Sequence, residues 1–105
     1  MGWNLSGYAT DARRDPREEV QFRTRAHAAG GSIELLVVNV SARGLMARTD
    51  DEIVRADDAI RIQLPGTGEI AGEVRWSLGG RIGVEFDKLI PLPRYLEMLA
   101  AVLKR

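Results

Sequence analysis

The chain has 105 residues, 45% of them hydrophobic, and a formal net charge of zero from 15 basic and 15 acidic residues. That length fits one domain with one modest core, the apolar share excludes a disordered tail, and the charge balance excludes the broad basic surface of a bulk nucleic-acid binder or a polybasic membrane anchor. With no cysteine, disulfides, thiolate metal sites and a cysteine nucleophile are excluded as well.

No apolar run approaches a membrane span. The start, Met1-Gly2-Trp3-Asn4-Leu5, lacks the basic-then-apolar order of a secretory signal. The expectation is a soluble, cytoplasmic domain without membrane insertion. Residues 1–12 mix Gly, Ser, Thr and Asn with Trp3, Leu5 and Tyr8 and show no period, so they read as a flexible lead-in to a domain over 13–105.

Arg13, Arg14 and Arg17 follow, broken by Asp15 and Pro16. Pro16 pushes Asp15 out of the α region, so the arginines belong on a loop. Guanidinium forks on a loop beside a rigid sheet can clamp an anion. A charged linker paired to Asp11, Asp15 or Glu18 explains the same residues.

From Glu18 the pattern alternates. Val20, Phe22, Thr24 and Ala26 take one face, against Glu19, Gln21, Arg23 and Arg25, and predict a half-buried strand. Ala29-Gly30-Gly31-Ser32 breaks it as a hairpin turn. Ile33–Val40 is a second strand whose run Leu35-Leu36-Val37-Val38 is apolar on both faces, which predicts a central position. Ser41-Ala42-Arg43-Gly44 turns into a short third strand, Leu45–Arg48. Thr49–Asp58 is an acidic loop with an expected helical turn around Glu52–Arg55.

Ile60, Ile62 and Leu64 mark a fourth strand and Pro65-Gly66-Thr67-Gly68 a turn. Ile70, Gly72, Val74 and Trp76 share one face of a fifth, and Ile82, Val84 and Phe86 one face of a sixth. Six short strands joined by Gly-rich turns predict an all-β, antiparallel six-stranded barrel. Pro91 and Pro93 open a C-terminal α-helix running to about Lys104. Its Leu92, Leu96, Leu99, Ala100 and Leu103 recur at helical spacing and predict the packed stripe.

Catalysis finds little support. His27 is the only histidine and lies at a strand end, Ser41 has no evident base partner, and no carboxylate pair stands in an apolar setting. Asp50-Asp51-Glu52 lacks the spaced ligands and central glycine of a calcium loop and reads as a solvated acidic loop. The expectation is a protein that is not an enzyme and holds no metal or resident cofactor.

Asn39-Val40-Ser41-Ala42-Arg43-Gly44 is by itself an ordinary turn, with Asn and Ser bonding local backbone and Gly44 supplying positive φ. An Arg-x-x-x-Arg loop followed one hairpin later by Asn-x-Ser-x-x-Gly at a strand end is more specific. Arg13-Arg14-Asp15-Pro16-Arg17 with Asn39–Gly44 resembles the PilZ domain family, and Gly72-Glu73-Val74-Arg75-Trp76 and Arg81–Phe86 look like its two late strands. The resemblance covers roughly residues 12–104 and implies a six-stranded barrel, a helix near the C-terminus, and a bacterial receptor for cyclic di-GMP.

Carried over residue by residue, it implies Arg13 and Arg17 on the ligand's guanines and phosphates, with Arg14 as a further ligand-binding candidate. Asn39 and Ser41 would contact a guanine edge and phosphate, and Gly44 would keep the backbone close. Many family members have Asp where this chain has Asn39, which puts an amide in place of a full acceptor charge. Arginine suits both parts of the ligand, because its fork bonds phosphate oxygens or guanine O6 and N7 bidentately and stacks on a purine.

The implied mechanism is a loose arginine loop that orders on binding and signals to a downstream protein partner. The alternative is a ligand-independent interaction module, such as a component of a pilus or motility complex. DNA or RNA binding is not expected, since the wet strand faces show no aromatic platform. The helix stripe or Trp3 offers surface for self-association.

Overall fold

The computed structural model describes residues 17–50 and 54–103. The strands are β1 Glu18–Ala28, β2 Gly31–Val40, β3 Gly44–Arg48, β4 Ala59–Leu64, β5 Gly68–Leu78 and β6 Arg81–Phe86; helix α1, Leu92–Leu103, follows. All neighbouring strands pair antiparallel and the sheet closes in the order β1-β2-β3-β6-β5-β4. The expected six-stranded barrel with a C-terminal helix is the fold. The loop arginines 13 and 14, the lead-in and the basic end Lys104-Arg105 lie outside the described residues.

Period-two patterning builds the barrel. Val20, Phe22 and Ala26 of β1, Ile33, Leu35 and Val37 of β2, Ile60, Ile62 and Leu64 of β4, and Ile82, Val84 and Phe86 of β6 all turn inward and are buried. The charged residues between them face water. Gly79 and Gly80, with φ of 61° and 80°, make the β5–β6 hairpin, where a two-residue turn takes positive φ at both positions. In the closed barrel every strand has two neighbours, so the apolar run of β2 does not single it out as central; Leu36 and Val38 on its outer face are half-buried.

Closure between β1 and β4 is short: Ala26, His27 and Ala28 oppose Ile62, Arg61 and Ile60. The Thr24 hydroxyl adds a bond to the Gln63 carbonyl. Beyond it the two strands part, and α1 covers the opening. Ala101 and Val102 line a cleft there with Gln21, Phe22, Leu36 and Pro65. The Tyr95 hydroxyl donates to the Val40 carbonyl (3.3 Å), and Arg94 and Thr67 exchange side-chain-to-carbonyl bonds at 3.3 and 3.4 Å.

Two expectations are corrected. The helix buries Tyr95, Met98 and Val102, while Leu92, Leu96 and Leu103 stay 66%, 53% and 54% exposed; of the expected stripe only Leu99 packs against the core. Two apolar stripes share this helix, and the one carrying Tyr95, which is pinned to β2, is pressed down. Second, Trp76 does not join the inner face, because the β5–β6 register shifts between Val74 and Trp76. An extra residue reverses the alternation, and Trp76 emerges 40% exposed. The helical turn expected around Glu52–Arg55 rests partly on residues outside the described ones; at its end the Asp58 carboxylate accepts from the Arg55 amide (2.9 Å).

Candidate functional site

Asn39 reaches the surface because β2 is bulged. Ile33, Leu35 and Val37 alternate inward, and strict alternation would turn residue 39 into the core. The β2–β3 register shifts between Val37 and Asn39, so Asn39 faces out and Val40 takes the next buried place. Bulges of this kind re-aim a side chain at functional surfaces. The Asn39 carbonyl oxygen Oδ1 accepts a bond of 2.7 Å from Arg17 Nη1. The two motifs joined in the sequence reading therefore meet in space through Arg17 and Asn39, twenty-two residues apart.

Asn39 also starts a row across the outer barrel. It opposes Met46 of β3, Met46 opposes Gly83 of β6, and Gly83 opposes Trp76 of β5. Asn39 Nδ2 lies 3.8 Å from Met46 Sδ. The Trp76 indole lies flat against Gly83: a methyl group there would come within 2.2 Å of Nε1. At ~4.8 Å between strands, the row spans roughly 14 Å from Asn39 to Trp76. It runs from a guanidinium and an amide, over a thioether, to an aromatic face. The sequence reading missed Met46 and Trp76. The available signal was the facing glycine, since a strand residue opposite Gly leaves room for a large ring to lie across it.

Ser41 and Gly44 are placed differently. Ser41 is 2% exposed; its Oγ accepts from the amides of Arg43 (3.1 Å) and Gly44 (3.2 Å) and donates to the Gly44 carbonyl (3.4 Å). The hydroxyl is occupied in holding its own turn, which delivers the chain from Asn39 to β3. That turn is also fastened to the end of β6 through Phe86 N to Arg43 O (2.8 Å), and to the segment after it through Ile90 N to Ala42 O (3.0 Å). Gly44 is not among the positive-φ residues, contrary to the reading that it supplies that conformation. It is glycine because a methyl group there would meet the Val84 carbonyl oxygen at 2.2 Å.

Beside Asn39 a groove runs between the barrel and the end of α1, lined by Glu19, Val20, Gln21, Val38, Asn39, Val102 and Leu103. Glu73 and Glu85 flank Arg75 at 2.9 and 3.3 Å on the neighbouring face; these exposed pairs are worth little energetically. Among the described residues no group of His, Asp and Glu is arranged to hold a metal ion, and no helix is long and apolar enough to cross a membrane.

A family model described as the PilZ domain matches residues 11–100, which takes in Arg13, Arg14 and Arg17, all six strands and most of α1. No curated protein matches the chain.

Proposed function

The chain belongs to the PilZ domain family, binding and adaptor domains that take cyclic di-GMP, and on that premise we propose that it is a bacterial, cytoplasmic cyclic di-GMP receptor acting through a protein partner. Arg17 and Asn39, joined at 2.7 Å on the outer face, carry the reading. This bond brings an anion-binding fork to an amide able to read a guanine edge. Ligand binding swings Arg17 off Asn39, and Arg13 and Arg14 close from the other side of the nucleotide. Asn39 Oδ1, released, accepts from the guanine N1–H and N2–H donors. The indole of Trp76 offers a stacking face at the far end of the row, and such stacking is worth about 1–3 kcal/mol per base.

Ser41 and Gly44 belong to the site through the turn they build, and contact of the Ser41 hydroxyl with phosphate requires that turn to open. Residues before Arg13 follow the loop onto the barrel, and the reordered surface engages the downstream protein.

Calorimetric titration of the domain with cyclic di-GMP tests the assignment. Arg17→Ala and Asn39→Ala are expected to weaken binding by about 1–3 kcal/mol each, or roughly 5- to 150-fold. Unchanged affinity in both, or no heat in the wild type at low salt, would leave the ligand-independent interaction module as the better reading.

A further inference from the structure

The exposed strand arginines are paired in all but one row of the barrel. Arg25 reaches Glu34 at 3.5 Å, Arg61 reaches Glu69 at 4.0 Å, and Arg75 reaches Glu73 and Glu85 at 2.9 and 3.3 Å. The exception is the row Arg23, Leu36, Arg48, Arg81 and Leu78, which oppose one another in turn across β1, β2, β3, β6 and β5. Within it Arg48 and Arg81 are both exposed and stand directly opposite each other. Among the described residues no carboxylate lies within ion-pairing distance of either, although Asp50 lines a cleft together with Arg48. Like charges directly opposed on neighbouring strands cost stability, so the fold gains nothing from this pair by itself.

We infer that Arg48 and Arg81 hold one phosphate of the bound nucleotide, on the edge of the site away from Arg17, an inference that rests on the cyclic di-GMP reading. Arg48 lies two residues from Met46 on β3 and Arg81 two residues from Gly83 on β6, so the pair borders the Asn39–Trp76 row at about 7 Å on the same outer face. Because Trp76 opposes Gly83, Arg81 is its diagonal neighbour, a separation that long side chains span. The opposite edge of the row is different. Gly44, Glu85 and Glu73 stand there in register, and two carboxylates against the single Arg75 repel a phosphate at the Trp76 end. Arg17 enters on that edge at the Asn39 end, since it precedes Glu18, which opposes Val40. Guanidinium groups thus stand at diagonal corners of the row. Cyclic di-GMP carries its two phosphodiesters on opposite sides of one ring, which suits two such corners, whereas a nucleotide with one phosphate fills only one. Each arginine fork bonds phosphate oxygens, and the bound anion cancels the repulsion within the pair.

Calorimetric titration of the full chain with cyclic di-GMP at several salt concentrations reads the result. Arg48→Gln and Arg81→Gln are each expected to weaken binding roughly fivefold or more. The double variant should also lower the slope of log affinity against log salt by about 1, the loss of one phosphate contact. Arg61→Gln, an exposed arginine already paired with Glu69, should change neither. Without ligand, the melting temperatures of Arg48→Gln and Arg81→Gln should equal or exceed that of the wild type, because each substitution removes a like-charge contact.

Wild-type affinity in either variant, with binding weakened in Arg17→Ala, overturns the inference and leaves the receptor reading standing. A loss matched by Arg61→Gln overturns it too, as an effect of net charge alone. So does a lowered melting temperature in the ligand-free variants, which would make the pair structural. No heat in the wild type overturns the receptor reading and this inference with it.

Discussion

A methyl group at Gly44 would lie 2.2 Å from the Val84 carbonyl oxygen, and one at Gly72 would lie 2.6 Å from that of Glu85. Both clashes are with backbone, which cannot rotate away. Gly44→Ala is expected to lower stability by about 1–3 kcal/mol, read as a shift in the urea midpoint, and to disturb ligand binding only as far as the turn moves. Asn39→Asp acts the other way at the site: a carboxylate accepts guanine donors with roughly twice the strength of an amide, and cyclic di-GMP should bind up to about tenfold tighter by calorimetry. Tyr95 carries a pH signature. Burial, and after it the carboxylate of Glu18, raise its phenol above the ordinary value, so the folded protein holds that proton more tightly than the unfolded chain. The resulting stability is complete below the ordinary phenol value of about 10 and is lost as pH rises through the raised one. Tyr95→Phe forfeits the bond to Val40 and should be weaker by about 1 kcal/mol at neutral pH. Its urea midpoint should close on that of the wild type above about pH 10.

Individual elements divide into those that local pattern determines and those that pairing determines. Strands β1, β2, β4 and β6 were legible because a buried face every second residue leaves its period in the sequence. Helix α1 was legible as a helix but not in its orientation: Leu92, Leu96, Leu99 and Leu103 form as good a stripe as Tyr95, Met98 and Val102, and only the Tyr95–Val40 bond and the Arg94–Thr67 contacts decide between them. Met98 is fully buried, so Met98→Ala should cost about 2–5 kcal/mol, whereas Leu92→Ala should stay within about 0.5 kcal/mol; chemical denaturation of the two variants compares the stripes directly. The site divides in the same way. Arg17 and Asn39, which the structure joins by a hydrogen bond, are legible as candidates by motif. Trp76 was assigned to the core because a bulge is fixed by the register of two strands together and leaves no mark on the period of one. Gly83→Ala tests the arrangement from the other side: a methyl group beneath the indole should displace Trp76, seen as a change in tryptophan fluorescence.

The molecule as a whole is two three-stranded meanders, β1-β2-β3 and β4-β5-β6, sealed along β3–β6 and again along β1–β4. Ligand held by the native barrel and not by the unfolded chain stabilises it by mass action, by about 2.7 kcal/mol at a hundredfold excess over Kd. For a domain of this size that is a rise in melting temperature on the order of 10 °C, which Arg17→Ala should largely abolish in a thermal shift assay. The row from Asn39 to Trp76 crosses the β3–β6 seal. Asn39 and Met46 are supplied by the first meander, Gly83 and Trp76 by the second. The row is therefore shared between the halves and is complete only when they lock in register. On the proposed function, a nucleotide seated on the row would bridge the seal, and occupancy should slow the parting of the meanders more than it speeds their meeting. The messenger would then report on the chain's own assembly as well as on the state of the cell.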